Sequence, residues 1–189
     1  MRKLITLPNM LTAQRMVGAV VLVFVPSLSV AFFVIYSICG VSDILDGAVA
    51  RARHATTELG AKLDSCADLL FYAAMILRIF PILWERLPRL IWVFVALALV
   101  LRSSAYLTAA LKFRRFAALH TYMNKLTGFA VFMIPYFIVG NHGVEYCRIA
   151  CAIGTLASAE ELMIHIIRRE YRANIMSLYD LIRQSGNAK

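Results

Sequence analysis

A chain of 189 residues with 61% hydrophobic and 16% charged side chains is too short for a second large domain and too oily for an ordinary soluble one, which puts it in a membrane. A formal net charge of +9 invites a nucleic-acid reading, but the basic residues are spread along the edges of apolar segments, where they suit anionic lipid headgroups, and no nucleic-acid partner is expected. The N-terminal MRKLITLPNMLTAQR is interrupted by Pro8, Asn9 and Arg15 before a signal-peptide core can form, so it is read as retained.

Apolar stretches fall near 11–25, 29–50, 60–83, 89–111, 124–140 and 144–167, which predicts an all-α integral membrane protein of six transmembrane helices in a single domain, 1–189. Pro26, Ser27 and Ser29 break the first span from the second, although one long kinked helix also satisfies the pattern. Trp84-Glu85-Arg86 between Pro81 and Pro88 marks the third connection, and Gly140-Asn141-His142-Gly143 the fifth. From about Arg168 the tail reads as an amphipathic surface helix carrying Ile175, Met176, Leu178, Tyr179 and Ile182. Basic residues concentrate on one side, among them Arg51, Arg53, Lys62, Arg114, Arg115, Lys125, Arg168 and Arg169, against Arg78, Arg86, Arg89 and Arg148 on the other. That asymmetry predicts cytoplasmic termini. Cys39, Cys66, Cys147 and Cys151 lack a paired zinc spacing and are expected as reduced thiols.

The chemistry concentrates in DILDGAVARARHATTELGAKLDSCAD, which runs from Asp43 to Asp68. Of 11 acidic residues, Asp43, Asp46, Asp64 and Asp68 fall in this stretch beside apolar spans, and carboxylates near lipid require a metal, cation or water partner. Asp43 and Asp46 are three apart and Asp64 and Asp68 four apart, so each pair lines one face of its own helix. Two such helices facing each other form an oxygen cage suited to Mg²⁺ or Mn²⁺, one ion or two. Gly47, Ala50 and Gly60 keep the flanks small for a ligand or a neighbouring helix, and Arg51 adds a fork-shaped phosphate donor.

These residues fit D-x2-D-G-x2-A-R-x8-G-x3-D-x3-D at every fixed position, and the chain thereby resembles the CDP-alcohol phosphotransferases. The resemblance implies a compact helical membrane domain, two helices rather than one around Pro26, and transfer of a substituted phosphate from a CDP-linked donor to an alcohol with release of CMP. It also implies a homodimer. Asp43, Asp46, Asp64 and Asp68 become the metal ligands, with Mg²⁺ or Mn²⁺, two ions, as cofactor. Asp68, the acid nearest the acceptor by resemblance, becomes the general base. Gly47, Ala50, Arg51, Thr56 and Gly60 form the nucleotide side.

The expected donor is CDP-diacylglycerol and the acceptor a small alcohol, with a soluble CDP-alcohol acting on diacylglycerol as the alternative. The short, bacterial-looking length favours the first and a bacterial cytoplasmic membrane. A prenyltransferase needs a second aspartate-rich motif and more spans; a metal transporter has no use for the glycine and Ala-Arg pattern. Lys125, Arg102 and His120 are the acceptor-binding candidates, because His120-Thr121-Tyr122-Met123-Asn124-Lys125 resembles the basic loop that many members present to the acceptor. Arg102 has a second reading, an intramembrane ion pair with Glu160 or Glu161. Asn9-x2-Thr12-x2-Arg15 resembles the start of the first helix in phosphatidylglycerophosphate synthases, and reads equally as a helix cap followed by interfacial residues. Asp68 is followed by Leu69-Leu70 rather than the lysine usual in that subgroup, and no Ser-Phe-Gly follows as in phosphatidylserine synthases, so the acceptor stays open.

Overall fold

The computed structural model describes residues 7–52, 58–114 and 121–167, the side chains of 7–9, 46–52, 58, 59 and 61 excepted. Within these residues the chain is helical and contains no strand. It divides into two compact units, Met1–Arg86 and Leu87–Lys189. The expected amphipathic tail lies outside the described residues.

The first unit holds α1 (Leu7–Phe24), α2 (Val30–Ala52), α3 (Glu58–Arg78) and α4 (Phe80–Arg86). The Pro26 break therefore separates two helices rather than kinking one. Ser29 Oγ accepts from Phe32 N at 3.1 Å and caps α2, while Leu28 turns the chain in the left-handed region at φ 60°. Arg78 fastens this turn to the end of α3: its Nη2 donates to Val25 O at 2.7 Å, and Ser27 Oγ donates to Arg78 O at 3.2 Å.

α1 packs against both α2 and α3, so the two acid-bearing helices are held through it. Lipid tails are as apolar as leucine, so helix association in a membrane depends on close packing. The buried seam accordingly uses Ala19, Ala67 and Ala74 beside Leu22 and Phe32. At Gly18 a Cβ would sit 2.5 Å from Cys39 Sγ, which is how closely α1 and α2 approach. Tyr36 of α2 stacks on Phe71 of α3 at 5.4 Å between ring centres.

The sequence pattern ends the third span near residue 83; the helix instead pauses at Ile79 and resumes to Arg86. Pro81 is the reason, because it has no N–H to give to residue 77 and its ring crowds that carbonyl. The bonds Ile79 N to Met75 O (2.8 Å) and Leu83 N to Ile79 O (3.0 Å) carry the direction through.

The second unit holds α5 (Arg89–Phe113), α6 (Tyr122–Phe137) and α7 (Gly143–Ile167). α5 ends where Arg114 enters the left-handed region at φ 53°, and α6 begins at Thr121, whose side chain accepts from Asn124 N at 3.2 Å. α7 packs against both other helices along a face of small residues that includes Ala150, Ala157 and Ser158. At Gly143 a Cβ would lie 2.8 Å from Ile138 Cα, so only glycine admits this turn between α6 and α7. Phe137 stacks on Tyr146 at 4.0 Å, and Tyr146 Oη donates to Ala130 O at 2.9 Å, closing the hairpin.

Large apolar side chains point outward, Phe24, Val30 and Leu111 being 81%, 82% and 76% exposed, which is the arrangement of a protein solvated by lipid. Lys62–Arg86, Arg89–Phe113 and Gly143–Ile167 are each 25 residues long and apolar enough to cross a bilayer. Met10–Phe24 and Val30–Leu45 are shorter apolar helical stretches. The four cysteines are free; Cys39 and Cys147 are buried, whereas Cys66 is exposed.

Candidate active site

Asp43 lies on α2, and Asp64 and Asp68 lie one turn apart on α3. One ligand oxygen from each comes within 4.8 Å of the other two. The three side chains are 53%, 46% and 45% exposed, so the cluster opens to the outside on one side.

Its closed side is Arg15, from the middle of α1 and only 2% exposed. Arg15 Nη1 donates to Asp43 Oδ1, Nη2 donates to Asp64 Oδ1, and Asp68 Oδ1 is 3.4 Å from Nη2. A single guanidinium thus faces carboxylates from two other helices in a charge-assisted fork. The interfacial reading of Thr12 and Arg15 is overturned, since both are buried, at 4% and 2% exposure. The reason is geometric: α1 packs on both α2 and α3, and the three-residue step from Thr12 to Arg15 puts both on one face of it.

The other candidates distribute as follows. Gly60 lies in the first turn of α3 and is half-buried. Asp46, Gly47, Ala50 and Arg51 lie in the last turns of α2, with side chains outside the described residues; Thr56 and His120 fall outside them altogether. Lys125 is exposed in the first turn of α6, with Nζ 5.8 Å from the centre of the Tyr122 ring. Arg102 takes the ion-pair geometry: its Nη1 donates to Glu161 Oε2 at 2.5 Å, and Glu161 is fully buried. Asn124 Nδ2 donates to the same oxygen at 3.0 Å, so α5, α6 and α7 meet on one carboxylate. His165 Nε2 stands 3.9 Å from Glu161 Oε1. The Asn124 and His165 roles were missed in the sequence; an asparagine and a histidine in apolar spans were the available signal.

The donor set fits a hard divalent cation. Ligand oxygens sharing one Mg²⁺ would lie about 3–4 Å apart, so three aspartate oxygens within 4.8 Å of one another would have to draw in by up to about 2 Å to hold the same ion. All are carboxylate oxygens, which select Mg²⁺ or Mn²⁺ over thiolate-loving metals.

A family model described as CDP-alcohol phosphatidyltransferase matches residues 5–162, which takes in α1 to α6 and most of α7. No curated protein and no solved structure matches the chain. Apolar helices, an aspartate cluster spanning α2 and α3, and a family match over most of the length lead to one conclusion: the chain belongs to the CDP-alcohol phosphatidyltransferase family, integral membrane enzymes of phospholipid biosynthesis that transfer substituted phosphate groups and generally depend on a divalent metal.

Proposed function

We propose that this enzyme transfers the phosphatidyl group of CDP-diacylglycerol to a small alcohol and releases CMP. The observation that carries the reading is the convergence of Asp43, Asp64 and Asp68 on one accessible point beside an apolar helical surface. One ligand with a water-soluble diphosphate head and a lipid tail can be bound there. Asp43, Asp46, Asp64 and Asp68 are the proposed metal ligands; Mg²⁺ or Mn²⁺ held there, two ions in our reading, would neutralise the diphosphate and the charge that develops on the leaving CMP.

Asp68 accepts the proton of the attacking hydroxyl. As the alcohol oxygen bonds to the β-phosphorus, the bond from that phosphorus to the bridging oxygen breaks, and its electron pair leaves with CMP. Gly47, Ala50, Arg51, Thr56 and Gly60 form the nucleotide side, where small residues admit the cytidine and Arg51 pairs with phosphate. Lys125, Arg102 and His120 are the proposed ligands of an anionic acceptor; exposure of Lys125 supports its part, and the bond to Glu161 limits that of Arg102. Residues 1–189 act as one membrane domain and assemble as a homodimer. Both termini and the site face the cytoplasm of a bacterium, where CDP-linked substrates are found.

The test is to incubate the purified protein with Mg²⁺ or Mn²⁺, CDP-diacylglycerol and a panel of glycerol 3-phosphate, serine, inositol 1-phosphate, glycerol and phosphatidylglycerol, measuring CMP and identifying the lipid formed. One acceptor is expected to give CMP and a new phospholipid in equal amounts. CMP release only from CDP-choline or CDP-ethanolamine with diacylglycerol would overturn the donor.

A further inference from the structure

The cluster carries three carboxylates and, on its closed side, the buried Arg15 guanidinium that bonds Asp43 and Asp64. Fully ionised, the acids contribute three negative charges and Arg15 one positive, which leaves the described cluster at −2, the charge one divalent ion cancels. Arg15 reaches Oδ1 of Asp43 and of Asp64, so it bonds two of the carboxylates that an ion entering from the open side would also draw on. Arg15 is only 2% exposed, so the guanidinium has little room to swing into solvent.

We propose that Arg15 is the intrinsic counter-ion of this metal site: it holds the carboxylates of α2 and α3 together when no metal is present, and opposes the metal when one binds. This deepens the reading of the aspartates as metal ligands and rests on it. Arg15 acts on the site with two opposite signs. Without a cation, acids on separate helices within 4.8 Å repel one another, and Arg15 is the buried charge placed to offset that. With a divalent cation in the cage, the same positive charge raises the energy of the bound state. Arg15 is thus a positioning residue that lowers metal affinity while preserving the assembled site, which keeps the ion exchangeable.

The test uses the full chain in lipid nanodiscs with Mn²⁺, whose free concentration is read by its electron paramagnetic resonance signal, and with thermal unfolding recorded in the presence and absence of the ion. In Arg15→Gln the metal-free midpoint should fall, Mn²⁺ should bind more tightly by at least about tenfold, and the midpoint gain on adding Mn²⁺ should exceed that of the wild type. Arg15→Lys keeps the charge and should bind Mn²⁺ within about threefold of the wild type. A residue that merely packs α1 would lower both midpoints equally and leave affinity unchanged, and that result overturns the proposal. Arg15→Met, which keeps the volume of the buried stem, replaces the Gln variant if that does not accumulate. Should neither neutral variant fold even with saturating Mn²⁺, the proposal also falls, because the ion ought to take over the role of counter-ion. Asp64→Asn separates the two levels: a wild type that binds no Mn²⁺, or binds it undiminished in Asp64→Asn, refutes the metal reading itself, whereas loss in Asp64→Asn beside an unchanged Arg15→Gln refutes only the role of Arg15.

Discussion

Replacing Arg102 by methionine tests whether the second unit is held by a buried charge pair. Glu161 is fully buried on α7 and receives Arg102 Nη1 at 2.5 Å from α5 and Asn124 Nδ2 at 3.0 Å from α6. Arg102→Met preserves most of the apolar stem and removes the charge, so the carboxylate stays buried with its charged partner gone. Breaking a buried pair from one side costs about 3–5 kcal/mol; Asn124 still donates, and His165 stands 3.9 Å away, so the lower end, about 3 kcal/mol, is expected. Adding Glu161→Gln removes the stranded charge while an amide can still accept from Asn124, and should recover all but about 1 kcal/mol. Unfolding by SDS titration in mixed micelles measures both variants, with acceptor KM recorded alongside. A loss below about 1 kcal/mol in Arg102→Met, or no recovery in the double variant, refutes the pairing argument. A stable Arg102→Met with a raised acceptor KM and unchanged donor affinity makes Arg102 an acceptor ligand instead.

Four further outcomes are expected. Asp68→Asn should still bind the CDP donor while kcat falls by about 10²–10⁴, more than any rise in donor KM; an unchanged kcat removes Asp68 from the mechanism. Chelation with excess EDTA should abolish CMP release and re-added Mg²⁺ or Mn²⁺ restore it, because the clustered carboxylates otherwise repel the diphosphate; full release after metal stripping refutes this. Gly143→Ala places a Cβ 2.8 Å from Ile138 Cα and 2.9 Å from Phe137 O, backbone atoms that yield little, and should cost about 1–3 kcal/mol in the same SDS titration; an unchanged midpoint shows that the α6–α7 turn can relax. Crosslinking and mass measurement in lipid nanodiscs should return a dimer, and monomer alone refutes the homodimer.

Local rules carried the sequence reading a long way. Hydropathy set the helical spans to within a few residues, because a bilayer demands long apolar segments whose backbone bonds close internally. The three- and four-residue steps of Asp43-Asp46 and Asp64-Asp68 assigned each pair to one helix face, because helical periodicity alone decides that. Proline marked the break at Pro26, between Phe24 and Val30, and the pause at Ile79 beside Pro81; Trp84-Glu85-Arg86, expected as the connection, instead ends α4, and the chain breaks at Leu87 and Pro88.

Tertiary packing decided which faces meet. The acid spacing predicts carboxylates converging from two helices, and Asp43 does meet Asp64 and Asp68; what the spacing does not hold is that α1 packs on both helices and delivers Arg15 to Asp43 and Asp64, 28 and 49 positions away. Arg102 finds Glu161 across 59 positions, and Asn124 finds it across 37. No local propensity encodes such a pairing: a buried charge accepts any opposite charge of suitable reach, and only the close approach of small-residue helix faces selects the one it meets.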